Sequence, residues 1–295
     1  MSACFRIFPA ACYCKALLIS GIFFSLTYNK TLAQESNHHS VFNIIDYGAK
    51  PDGKTVNTMT IQATVNACHQ AGGGTIEIPA GEFVTGTIRL YSNMELHLDA
   101  GAVLSGSIND SDYLHQKDFG FSGAGAGEKT GILVAHGQED ISLTGPGKIN
   151  GRGIFSMWMD SLQQGADFDR KYTRQKDVYM DARFGRKDGP VLWKGRYEDR
   201  PGVMVIFSGC KRVHVDEVKF EESPNWTIAF LQSDDIHING ITIENLMSIP
   251  NSDGMDFYDS KHITVSNCFI QAGDDAIAVV SSSSMVVSNL SLIHI

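Results

Sequence analysis

The sequence predicts an all-β solenoid of the parallel β-helix type. Three ten-residue segments, starting at Lys211, Asp234 and Lys261, carry apolar residues at the same third, fifth, eighth and tenth places. The segments recur at intervals in the range typical of short solenoid repeats, and no helical pattern lies between them. Each unit reads as two short strands that meet at a bend and cannot bury an inner face alone, so the units are expected to stack. A β-sandwich built from hairpins is the alternative.

The N-terminal residues 1–33 have the order of a secretory signal. Arg6 and Lys15 precede an apolar run over residues 16–26, and a cleavage site fits after residue 33. The run is short for a bilayer span, so we expect no stable membrane anchor, with a retained anchor as the alternative. The sequence thus predicts a secreted or periplasmic protein, with residues 34–289 as a single domain, and we expect a monomer.

One helix is expected near the start of this domain. Asn57 is suited to cap it, Ile61, Val65 and Cys68 lie on one helical face, and the glycines at 72–74 end it. We expect this helix to cover the open end of the stack.

Charge and cysteine content narrow the function. The net charge of −9 argues against nucleic acid as a partner. Residues 170–200 are the exception, with ten Lys and Arg against five Asp and Glu. This basic segment predicts either a solvated loop or a cleft wall that attracts an anionic ligand.

Cys68, Cys210 and Cys268 stand far apart in apolar segments, which indicates core positions and neither a metal site nor a disulfide framework. No cofactor and no metal are predicted.

Aspartates near the end of the chain predict a chemical site. Asp253 precedes Asp274 by close to the length of one coil. Stacking should therefore bring Asp253 beside Asp274 and Asp275, with Asn251 next to them, provided that the chain bends at Gly273. Acids crowded in this way cannot all ionise, so one should keep its proton. Glycoside hydrolysis uses a pair of carboxyl groups of this kind, one protonated and one ionised.

Two other interpretations of these acids remain open. Carboxylates often cap turns, and oxygen ligands suit calcium. We assign Asp256 and Asp259 to turns. The adjacent Asp234 and Asp235 are also assigned to a turn, because no partner acid stands one coil away.

Several stretches together resemble one enzyme family. The motifs NSDGMD and GDDAIAV, with VFNIIDYGAKPDGKT, GGGTIEIPAGEF, LHLDAGAVLSGS, RPGVMVIFSGCKRV and SPNWTI, are similar in content and order to the polygalacturonases, family twenty-eight of the glycoside hydrolases. The resemblance covers roughly residues 41–282. It implies a right-handed parallel β-helix and hydrolysis, with inversion, of α-galacturonosyl linkages in pectin, an acidic polysaccharide. Asp274 resembles the general acid, Asp253 and Asp275 resemble the carboxylates that activate water, and Asn251 resembles a substrate-binding residue.

The chain departs from the family at its end. The family continues with a G-H-G histidine and an R-I-K motif that holds the substrate carboxylate, and this sequence has neither. Residues 290–295 read LSLIHI, which is the translation of a transposon end that is used to prepare sequencing libraries. We therefore expect these residues to be a non-native tail. The domain is then incomplete, its last coils missing, and the fragment inactive. The alternatives are a pectate-lyase-like β-helix and a non-catalytic carbohydrate-binding β-helix.

Overall fold

A computed structural model describes residues 40–125, 128–153, 201–247, 249 and 251–294. The predicted signal peptide at 1–33 and the basic segment at 170–200 lie outside these ranges. In the ranges that are described, no helix is both long and apolar enough to cross a membrane.

Three parallel sheets make up the described structure. Within each sheet, neighbouring strands belong to successive coils of the chain. The first sheet consists of β1 (Val41–Asn43), β3 (Gly74–Ile78), β6 (Met94–Leu98), β9 (Glu139–Thr144), β12 (Lys211–Asp216), β15 (Asp234–Asn239), β18 (Lys261–Ser266) and β21 (Ser283–Ser288). The second consists of β2 (Asp52–Val56), β4 (Gly81–Thr85), β7 (Ala102–Gly106), β10 (Lys148–Asn150), β13 (Lys219–Glu221), β16 (Thr242–Glu244), β19 (Phe269–Ala272) and β22 (Ser291–His294). The third consists of β5 (Ile88–Arg89), β8 (Leu133–His136), β11 (Val205–Ser208), β14 (Ile228–Leu231), β17 (Met255–Tyr258) and β20 (Ile277–Val280).

This arrangement confirms the predicted parallel β-helix. The three segments recognised in the sequence pair in register, with Lys211 beside Asp234 and Asp234 beside Lys261. All their patterned apolar residues are buried: Val213, Val215, Val218, Phe220, Ile236, Ile238, Ile241, Ile243, Ile263, Val265, Cys268 and Ile270. All the strand pairs that the structure describes are parallel, so the hairpins of a β-sandwich do not form here.

The helix α1 (Thr58–Gln70) lies where it was expected and buries Ile61, Val65 and Cys68. It packs against β1 and β3 at the start of the stack. Asn57 is the N-cap residue, but its side chain makes no cap hydrogen bond. The side-chain amide instead donates to the carbonyls of Lys50 and Thr55 and accepts from the Lys50 amide. Asn57 therefore connects the chain before the helix to the helix start, and its side chain does not accept a hydrogen bond from the N–H groups of the first helical turn.

Stacked side chains fill the interior. Phe207, Phe230 and Phe257 come from successive coils of the third sheet, and their rings stack with centroids 5.3 and 5.1 Å apart. All three rings are fully buried. Cys68, Cys210 and Cys268 are free and buried, as predicted. Large residues at equivalent positions of each coil thus build one continuous core.

Strands β20, β21 and β22 form the last described coil. Residues 283–294 add two of these strands, which pair with β18 and β19. Val280, Val286 and Leu292 on this coil are exposed. These three strands therefore carry exposed apolar side chains in the described part of the chain.

Candidate active site

The aspartates of the candidate site lie on the outer side of the third sheet. Met255 and Phe257 of β17 face the core, so Asp256 between them faces outward. Asp253 stands just before β17, and Asp274 and Asp275 stand in the bend between β19 and β20. The loop after β7 covers the earlier coils of the same face, where Phe119 packs on Ile206 and Ala229.

The register corrects one detail of the prediction. Met255 pairs with Ile277 on the next coil, so the residue above Asp253 is Asp275. The backbone agrees, because the Gly254 amide donates to the Asp275 carbonyl at 2.8 Å. The separation between Asp253 and Asp274 is therefore one position short of the true coil length.

Two glycines allow the bends on which these acids sit. A Cβ atom at Gly254 would collide with the carbonyl oxygen of Ala276. A Cβ at Gly273 would lie 2.8 Å from the carbonyl oxygens of Leu246 and Ile249. Both distances are too close for a side chain, so only glycine lets successive coils pack this tightly. The predicted bend at Gly273 is present.

A buried asparagine that the sequence argument missed fixes the backbone at Asp253. Asn245 is 1% exposed. Its side-chain amide donates to the Thr227 hydroxyl at 2.7 Å and to the Ser252 carbonyl at 3.0 Å, and its oxygen accepts from the Ser223 amide at 2.9 Å. Thr227 also donates to the Asp253 carbonyl at 2.6 Å. Asn245 and Thr227 together clamp the segment that presents Asp253. Asn245 belongs to no periodic apolar pattern in the sequence, because its hydrogen bonds hold loop segments and not strands.

Asp256 is the main correction to the predicted site. It was assigned to a turn, yet it lies inside β17 with no exposed surface. Burial, together with the charges of Asp253, Asp275 and Asp274 in that order of effect, raises the pKa of its carboxyl group to about 9. All three predicted acids therefore act on one buried carboxyl group, which places the four side chains in one cluster.

The other turn assignments had mixed outcomes. Asp259 is exposed, in the bend after β17, with a φ of 50°, which confirms its assignment. Asp234 and Asp235 open β15 instead of forming a turn. Asp234 pairs with His262 at 2.6 Å and with Lys261 at 3.4 Å, so its role is to join two coils.

Asn251 and an aromatic pair complete the neighbourhood. Asn251 has a left-handed φ of 56°, a conformation that asparagine adopts more readily than most residues. Trp226 packs against the apolar residues on the outer side of the third sheet, the group that includes Ile206 and Ala229. Its ring stacks on that of Tyr258, with the ring centroids 5.3 Å apart. Burial raises the pKa of Tyr258, and the nearby charges of Asp256, Asp253 and Asp275 act in the same direction. The phenol therefore faces the acid cluster.

No group of three or more metal-ligating side chains is arranged to hold a metal ion in the described part of the chain.

The fold and the acid cluster define the class: a parallel β-helix protein with clustered carboxylates on its outer surface. Residues 188–294 match the model of Glycosyl hydrolases family 28, and residues 41–144 match the model Rhamnogalacturonase A/epimerase, pectate lyase-like. The first match confirms the resemblance to family 28 of the glycosyl hydrolases that was drawn from the motifs.

Relatives and a solved structure agree with this placement. An exo-poly-alpha-D-galacturonosidase of Dickeya chrysanthemi is 31% identical over 80% of this chain and 41% of its own length. A probable polygalacturonase of Vitis vinifera is 28% identical over 81% of this chain and 44% of its own length. The chain thus spans less than half of each relative. An exopolygalacturonase from Thermotoga maritima has the same fold, with a TM-score of 0.67 and 24% identity over 86% of this chain and 60% of that one.

Proposed function

We propose that this chain carries the acid cluster of a pectin-degrading glycoside hydrolase that cleaves α-galacturonosyl linkages with inversion. The observation that supports the proposal is the meeting of Asp253, Asp274 and Asp275 around one buried carboxyl group. The galacturonosidase and polygalacturonase relatives favour pectin, an acidic polysaccharide, as the substrate.

In this proposal the acids divide the work of hydrolysis. Asp274, half-buried in the bend, protonates the leaving glycosidic oxygen. Asp253 and Asp275, which lie in register on adjacent coils, activate the attacking water from the opposite side of the sugar ring. Asn251, in the turn before Asp253, contacts the substrate.

The test is release of reducing ends from unesterified polygalacturonate by the complete protein, whose sequence is recovered by resequencing the locus, because the fragment itself is expected to be inactive. Asp274→Asn is expected to lower kcat at least about 100-fold, because it removes a proton donor without changing shape. Asp259→Asn is the matched control, since that carboxylate is exposed in a turn where asparagine is well tolerated. Equal activity of the two variants would refute the assigned role.

The same assay separates the alternative functions. A lyase gives an unsaturated product that absorbs in the ultraviolet, whereas a hydrolase does not. Binding of polygalacturonate without turnover identifies a non-catalytic β-helix. Proton NMR of the newly released end distinguishes inversion from retention.

Export and the chain ends are further parts of the proposal. We propose that residues 1–33 direct the protein out of the cytoplasm and are then removed. N-terminal sequencing of the exported protein tests this, with Gln34 expected as the first residue. The proposal that residues 290–295 are not native is tested by resequencing the locus.

A further inference from the structure

Asp256 occupies an unusual place for a carboxyl group. It has no exposed surface, and neither of its oxygens accepts a hydrogen bond from any residue that the structure describes. Its partners in register on the adjacent strands are Ala229 and Ala278, which offer neither a donor nor a charge. A carboxylate in such a position has lost its hydrogen bonds to water and has gained no donor from the described residues in their place.

Among the residues that the structure describes, the titratable groups that act on Asp256 are all acids. Asp253 approaches from the turn before its own strand, and Asp274 and Asp275 approach from the bend before β20. Tyr258 stands two residues later on the same outward face and has a phenol influenced by Asp256. No cation is among these groups, so ionised Asp256 would add another negative charge to a crowded cluster.

We propose, on the basis of the hydrolase function above, that Asp256 is a positioning residue that works only as an uncharged carboxylic acid. Its deprotonation then weakens binding of the acidic substrate on the alkaline side. Asp256 transfers no proton in this scheme.

The uncharged state has a direct consequence for substrate binding. While Asp256 keeps its proton, the cluster carries one negative charge fewer beside the acidic polysaccharide. Once Asp256 ionises, its added charge repels the carboxylates of the substrate. Neutral Asp256 therefore keeps the cluster able to bind an acidic substrate at neutral pH.

Asp256→Asn tests the proposal, because the amide has the same shape and stays neutral at every pH. On unesterified polygalacturonate near pH 6, kcat of this variant is expected to stay within about tenfold of wild type, whereas Asp274→Asn falls at least about 100-fold. The KM of the wild type is expected to rise as the pH nears 9, where Asp256 titrates. In Asp256→Asn this rise is expected to be absent.

A second measurement does not need activity. The thermal midpoint of the wild type is expected to fall between pH 5 and pH 8, because the unfolded chain releases the proton that folded Asp256 keeps. The midpoint of Asp256→Asn is expected to change less over the same range.

The outcomes separate the proposals. A folded Asp256→Asn that is as inactive as Asp274→Asn, or whose KM rises toward pH 9 as it does in the wild type, overturns the neutral role. Equal pH dependence of the two thermal midpoints also overturns it. If the complete wild-type protein releases no reducing ends while the midpoints differ as expected, the hydrolase function fails and the uncharged state of Asp256 stands.

Discussion

Asn245→Ala provides a quantitative test of how the candidate site is held in place. The substitution removes four buried hydrogen bonds, to the Ser223 amide, the Thr227 hydroxyl and the carbonyls of Ser252 and Asp253. The Asp253 carbonyl keeps its bond from Thr227 and the Ser252 carbonyl keeps its bond from the Gly273 amide, but the Ser223 N–H loses its Asn245 partner. A buried polar group left without a partner costs about 1–3 kcal/mol and each other lost bond about 0.5–1.5 kcal/mol, so the free energy of unfolding is expected to fall by about 3–5 kcal/mol.

Urea unfolding at fixed pH measures this loss, with the slope against urea checked for constancy. The matched control is Asn239→Ala. Asn239 is exposed and accepts from Ser266 at 3.1 Å and from Asn267 at 2.8 Å on the outer surface. Because water replaces these bonds, the control is expected to change stability by no more than about 0.5 kcal/mol. A loss for Asn245→Ala no larger than that of the control would refute the clamp.

Four other substitutions test the core, the bend, the surface and the acid cluster. Phe230→Ala removes the middle ring of the phenylalanine stack and is expected to cost about 3–5 kcal/mol in urea unfolding. Gly254→Ala forces a methyl group against the Ala276 carbonyl and is expected to cost about 1–3 kcal/mol; an unchanged thermal midpoint would contradict the tight bend. Arg212→Ala removes exposed ion pairs to two acids, and the free energy of unfolding is expected to change by less than about 1 kcal/mol. Asp256 has a folded pKa of about 9 against an ordinary 3.8. Wild-type stability should therefore fall from pH 5 to pH 8, by up to about 4 kcal/mol, and Asp256→Asn should lack this decline in urea unfolding at each pH.

The repeating coils of this protein could be predicted from its sequence. Apolar residues at fixed places in three segments predicted the stacked coils, and the family motifs agreed. The helix at residues 58–70 and the glycine bend before Asp274 were also predicted. Such features are local, because a strand or a helix face repeats with a fixed period along the chain.

The tertiary structure decided the features that depend on contacts between coils. Asp256 has the sequence surroundings of a turn residue, and only the third sheet shows that it is buried among other acids. The role of Asn245 and the register that sets Asp275 above Asp253 were hidden for the same reason. Pairing between residues far apart in the chain sets burial and electrostatic surroundings, and a change of register by a single position moves a side chain to the opposite face. The sequence by itself determined the type of coil and the acids that it carries, and the stacking determined which of those acids stays uncharged.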